Sequence, residues 1–153
     1  MKIRLEIDPN LTDEEVIIRA PYTTENVRHI QYLLEQTVAR KRELMVRQED
    51  SEVFLAYGEI LFFEVSDDRV WAHTKDGVYQ CGSRLSELEA VLPDNFVRSS
   101  RSGIINTSKV RMLRRSPTGV GEAAFQGSEK KTYISRMYYN NVRETIEETR
   151  LRK

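Results

Sequence analysis

The stretch ELMVRQEDSEVFLAYGEILFFEVSDDRVWAHTKDGVYQC, residues 43–81, decides the fold class. It holds five short apolar runs, at 44–47, 53–56, 60–65, 70–74 and 78–81. Between them lie Glu49-Asp50-Ser51, Tyr57-Gly58, Ser66-Asp67-Asp68 and Asp76-Gly77. Short runs rich in β-branched and aromatic residues, punctuated by turn formers, read as antiparallel strands. Asp76-Gly77 carries a hairpin signal, because a two-residue type I′ turn needs positive φ and glycine supplies it without strain. The chain is expected to be mainly β with short helices.

On the carboxyl side, Ser83 stands where it can cap a short helix whose Leu85, Leu88 and Leu92 share a face, and Pro93-Asp94 ends it. Strands are expected at 96–99, 110–115 and 131–134, with a weaker one at 123–125 beyond the turn-rich SPTGVG. The segment FVRSSRSGIIN, 96–106, is strand-like and closes an apolar run with Asn106. Ser135 can cap a closing helix through Val142 and Ile146, and residues 151–153 form a charged tail. On the amino side, KIRLEID at 2–8 alternates apolar and polar residues, the period of a half-buried strand, and Pro9-Asn10 ends it. EVIIRA at 15–20 reads as its partner, stopped by Pro21. Thr23 or Thr24 can cap a helix whose Val27, Ile30, Leu34 and Val38 form one stripe, and Arg40-Lys41-Arg42 marks its end. Residues 1–43 are thus expected to be a strand-strand-helix extension of a body at 44–150.

The 153 residues suffice for one sound core. No long apolar run and no amino-terminal apolar region occur, so neither a membrane span nor a secretory signal is supported, and a cytoplasmic location is expected. Cys81 is the single cysteine and reads as a small buried hydrophobe. The zero formal charge hides an asymmetry: residues 1–95 carry 11 Lys plus Arg against 19 Asp plus Glu, a net −8, and residues 96–153 carry 13 against 5, a net +8. Such a division admits a polyanion partner on the basic side or an ordinary solvated surface.

No catalytic constellation emerges. His29 and His73 have no nucleophile or orienting carboxylate at a motif spacing, the seven glycines sit singly in turns, and no Cys/His cluster has metal-ligand spacing. The expectation is a protein without enzymatic activity, cofactor, metal or small-molecule substrate. The basic half mixes Arg and Lys with Ser, Thr and Tyr, which suits phosphate contacts. With no helix-turn-helix pattern, zinc finger or basic zipper, any groove readout has to come from loops or strands.

These features resemble the LytTR-type DNA-binding domains of bacterial transcription regulators. The matching segments are EILFFEV (59–65), RVWAHTKDGVYQCGSRL (69–85), LSELEAVLPDNFVR (85–98), SSRSGIINTSKV (99–110) and YISRMYYNNV (133–142), in the family's order and spacing. The resemblance implies an elongated antiparallel β-fold that inserts loops into successive major grooves of double-stranded DNA carrying direct repeats. It implies base contacts from Arg69, Arg101 and Met137, and phosphate contacts from Arg98, Ser100, Ser102, Lys109 and Arg136. Ile104, Ile105 and Asn106 are expected to be framework. Residues 1–43 are too short for a receiver domain and resemble the prefix of stand-alone regulators, which are often restrained by a small membrane protein. The stripe of the prefix helix has three possible covers: the body, a second copy, or such a partner. Dimerisation is favoured, since tandem sites reward it. The competing reading is a β-rich protein-interaction module without DNA binding.

Overall fold

The computed structural model describes residues 1–40 and 42–151. Lys41 of the basic run and Arg152-Lys153 of the tail lie outside the described residues. The chain divides into two units, Met1–Val38 and Ala39–Lys153.

In the first unit, helix α1 (Glu25–Arg40) begins where Thr24 Oγ1 accepts from the Val27 N–H at 3.2 Å, the cap its sequence position allows. The two strands expected at 2–8 and 15–20 do not form: residues 1–24 hold no helix or strand. Ile3, Leu5 and Ile7 are 96%, 85% and 83% exposed. An isolated two-stranded hairpin is marginal in water, so alternation by itself does not make these segments strands.

The second unit is an antiparallel body. Its strands are β1 (Glu43–Gln48), β2 (Ser51–Ala56), β3 (Ile60–Ser66), β4 (Arg69–Thr74), β5 (Val78–Cys81), β6 (Phe96–Ser100), β7 (Gly103–Asn106), β8 (Val110–Arg115), β9 (Gly121–Phe125) and β10 (Lys131–Ile134). Helix α2 (Leu85–Val91) precedes β6, and α3 (Arg136–Leu151) closes the chain. A seven-stranded sheet has the order β2-β1-β5-β4-β3-β7-β6, and a three-stranded sheet the order β10-β9-β8.

The β3·β7 pair is buried on both faces, which is why its sequence reads ILFF and II without alternation. Phe63 and Ile104 face a core completed by Leu85 and Leu88 of α2. Phe62 and Ile105 face a second core, completed by Phe125 of β9 and by Val142 and Ile146 of α3. Leu61 joins that second core beside Phe62, although neighbours on a regular strand point to opposite faces. The register shift between Ile60 and Phe62 explains it, since a bulge turns two successive side chains the same way.

Several turns and caps depart from expectation. Asp76-Gly77 makes no type I′ turn: the connection after Thr74 closes with the Thr74 N–H donating to Gly77 O at 3.0 Å, and Gly77 has no positive φ. The type I′ pattern falls instead on Asp67 and Asp68, with φ of 52° and 59°, between the paired Ser66 and Arg69. Ser83 does not cap α2, whose N-cap is Arg84 with no side-chain bond. Ser135 precedes α3, but its buried Oγ has no partner among the described residues. The 96–106 segment folds back on itself as β6 and β7.

Asn106, fully buried, ties three segments together. Its Nδ2 donates to Ile60 O at 2.8 Å, and its Oδ1 accepts from Asn95 Nδ2 at 2.8 Å and the Ser108 N–H at 3.1 Å. Asn106→Ala leaves these buried groups without partners and should cost about 3 kcal/mol of stability. Urea unfolding measures it, and a loss below about 0.5 kcal/mol would show that water replaces the amide.

Candidate nucleic-acid interface

Register determines which turns share an end of the large sheet. Glu64 near the finish of β3 lies opposite Gly103 at the start of β7, so the β3–β4 and β6–β7 turns project side by side. The β6–β7 turn is Arg101-Ser102, set between Ser100 and Gly103, which face each other across the hairpin. A Cβ on Gly103 would come within 2.7 Å of Ser99 Oγ and 3.4 Å of Phe63 O, so the tight approach here needs glycine.

Two backbone hydrogen bonds fasten this turn to its neighbours. The Val65 N–H donates to Ser102 O at 2.8 Å, joining it to the end of β3. On the other flank, the Ser135 N–H donates to Ser99 O at 2.8 Å, bringing up the junction of β10 with α3. The segments carrying Arg69, Arg101 and Met137 therefore meet at one end of the molecule's second unit.

The individual side chains divide into outward and inward groups. Arg101 and Ser102 are exposed at the turn, and Arg101 has no carboxylate partner among the described residues. Arg69 is exposed behind Asp67-Asp68. Met137 is 75% exposed on the first turn of α3. Arg136, also exposed, runs its stem past the β8–β9 turn, where a Cβ on Gly119 would lie 2.8 Å from its Cδ.

Arg98 faces inward. Its Nε meets Glu89 Oε1 of α2 at 2.9 Å and its Nη1 donates to Arg101 O at 2.8 Å, so the guanidinium braces the turn. Ser100 is buried, its Oγ accepting from the Ser102 N–H at 3.1 Å. Lys109 ends a 3-10 turn at Thr107–Lys109, past the far end of β7, and does not join the others.

Tyr133 and Arg115 belong to the basic, hydroxyl-bearing mixture that suits phosphate contacts, but the sequence assigns neither a place at the site. Tyr133 is 53% exposed two residues before Ser135, and the Arg115 guanidinium lies 4.7 Å over the Tyr139 ring. Arg115 and Ile134 both pair with Gly121, so the pairing of three consecutive strands was the signal that places these side chains beside the start of α3.

A family model described as the LytTr DNA-binding domain matches residues 50–147, a span that contains all three segments. HTH-type transcriptional regulators from two strains of Staphylococcus aureus are each 29% identical to this chain over 147 residues, covering 95% of it and 98% of the relative. A solved LytTr DNA-binding domain from Bacillus cereus superposes with a TM-score of 0.63 at 17% identity, covering 69% of this chain and 96% of that one. The three α-helices among the described residues are separated by strands, and none is long and apolar enough to cross a membrane.

Behind the exposed charges sits a partly buried polar pair. His73 Nε2 lies 2.7 Å from Glu64 Oε1, and the imidazole stacks on Phe62 at 4.3 Å. Burial pushes the His73 pKa below its usual value, outweighing the contribution of Glu64 in the other direction. Because the folded pKa lies below the unfolded one, the unfolded chain takes up the proton first on acidification. The corresponding stability is complete above the unfolded value of about 6.5 and is lost as pH falls from there through the folded pKa. Urea unfolding across this window should show stability rising with pH, and His73→Gln should flatten the rise. An unchanged slope in the variant would assign the dependence to another group.

Proposed function

The chain belongs to the LytTr DNA-binding domain family, and on that premise we propose that it is a sequence-specific transcription regulator whose β3–β4 turn, β6–β7 turn and α3 start enter the major groove of double-stranded DNA. The observation that supports this reading is the pair of backbone bonds, Val65 to Ser102 and Ser135 to Ser99, which presents the three segments as one surface. A guanidinium at a two-residue turn held by β-pairing has the reach and the rigidity to read O6 and N7 of a guanine bidentately.

In this reading Arg101 is the central base reader and Arg69 a second at its flank. Met137 meets a thymine methyl, since an exposed thioether stem suits an apolar contact and has no charge for phosphate. Ser102 and Arg136 contact phosphates. Arg98 and Ser100 are positioning residues: one braces the carbonyl of Arg101, the other holds the Ser102 N–H. Lys109 receives no role on this surface. The regulator acts in the cytoplasm as a homodimer on direct repeats, and a small membrane protein restrains it. Co-purification of such a protein with the tagged chain tests that last element.

Duplex binding over a salt series tests the whole. Log affinity should fall against log salt by about 0.9 per phosphate neutralised, and a flat response overturns DNA binding in favour of a protein-interaction module. Arg101→Ala should cost about 1–3 kcal/mol and relax preference at one base pair, with the salt slope unchanged. Arg136→Ala should reduce the slope by about 0.9 and weaken all sequences alike. Uniform weakening by Arg101→Ala would make it a phosphate anchor instead.

A further inference from the structure

The segment Lys2–Ile3–Arg4–Leu5–Glu6–Ile7–Asp8 has the pattern of a strand and no strand partner among the described residues. Its apolar residues Ile3, Leu5 and Ile7 share one face, and its polar residues Lys2, Arg4, Glu6 and Asp8 share the other. Arg4 Nη2 and Glu6 Oε2 already lie on one side, 4.0 Å apart. The polar face is ordered by sign: two cations, then two anions.

We propose that this segment pairs antiparallel with the same segment of a second copy of the chain, about a two-fold axis through Leu5. In that register Lys2 lies opposite Asp8 and Arg4 opposite Glu6, each twice by symmetry. Ile3 lies opposite Ile7, and Leu5 opposite Leu5. Every cross-strand polar pair is thus of opposite charge and every apolar residue meets an apolar one, which is the condition for a self-complementary two-fold interface. A parallel arrangement in register would set like charge on like. A one-residue slip would put the apolar set on the wrong face.

The rest of the prefix supplies what a two-stranded ribbon lacks. The chain already turns after the segment, with the Leu11 N–H donating to Asp8 O at 3.2 Å and the Asn10 N–H to Asp8 Oδ1 at 2.9 Å. Residues 15–20, with Val16, Ile17 and Ile18 exposed, return as the outer strand in each copy. Four strands with an apolar face can be stable where two are marginal. This interface deepens the dimer element of the proposed function and is tested without DNA, so its failure leaves the DNA-reading surface untouched.

Sedimentation equilibrium of the full chain should give a dimer. The single-sign variants Lys2→Glu/Arg4→Glu and Glu6→Lys/Asp8→Lys should each sediment as monomers, with far-ultraviolet circular dichroism reporting an intact body. Mixed together, the two variants should form a one-to-one heterodimer. The four-fold variant that carries both pairs of changes, and so reverses the order of signs, should return to a homodimer. A monomeric parent chain, a single-sign variant that still dimerises, or a mixture and a four-fold variant that both stay monomeric each overturns the proposal.

Discussion

The structure depends on one strand pair buried from both sides. β3 and β7 place Phe62 and Ile105 on one face and Phe63 and Ile104 on the other, all removed from water. At roughly 25 cal/mol per Å² of apolar surface, neither face can be left open, so a second layer is obligatory above and below. Helix α2 provides one, with its leucines; the three-stranded sheet and α3 provide the other. Because α3 has to reach the Ile105 face, its amino terminus is drawn against β6, and the Ser135 to Ser99 bond follows from that docking. The surface assigned to DNA is in this sense a by-product of how the central pair is covered.

Rigidity at that surface comes from polar groups that point inward. An arginine at a two-residue turn has many rotamers and a mobile backbone beneath it, and both would weaken a bidentate contact. Here the carbonyl of Arg101 is held by the Arg98 guanidinium, which is held in turn by Glu89, and the next N–H is held by Ser100. Glycine at 103 lets the hairpin close against Phe63 O without a side chain in the way. Four residues spend their chemistry on the placement of one.

The strands from 44 to 81 are legible because runs of that length, bounded by turn residues, allow few other readings. The coverage of β3 and β7 on both faces is also legible, in the uninterrupted ILFF and II. Turn chemistry is less so: aspartates tolerate the left-handed region well enough for Asp67-Asp68 to take the type I′ turn, while Gly77 bonds to Thr74 at the foot of its turn and needs no positive φ. The prefix misleads for a different reason. Alternation at 2–8 reports that a strand is possible, and a strand exists only where another pairs with it. Among the candidate site residues, Arg101 and Met137 are named through the family resemblance, and the structure adds that both are exposed. Arg98 is not, because its partners on α2 and at the turn are contacts of tertiary structure.

Charge is distributed along the sheet as well as along the sequence. The β2–β1 edge carries Glu43, Glu49, Asp50 and Glu52 against Arg47, and the three-stranded sheet carries Arg111, Arg114, Arg115 and Lys131 against Glu122. A body polarised this way turns its basic side toward a polyanion before contact, because the field of the phosphates acts on the whole dipole. Steering of this kind raises the rate of productive encounters and discriminates little between sequences. In the proposed function, discrimination then falls to the few exposed groups at the sheet end. There the two aspartates beside Arg69 work against adsorption to phosphate, the property that the proposed base contact requires.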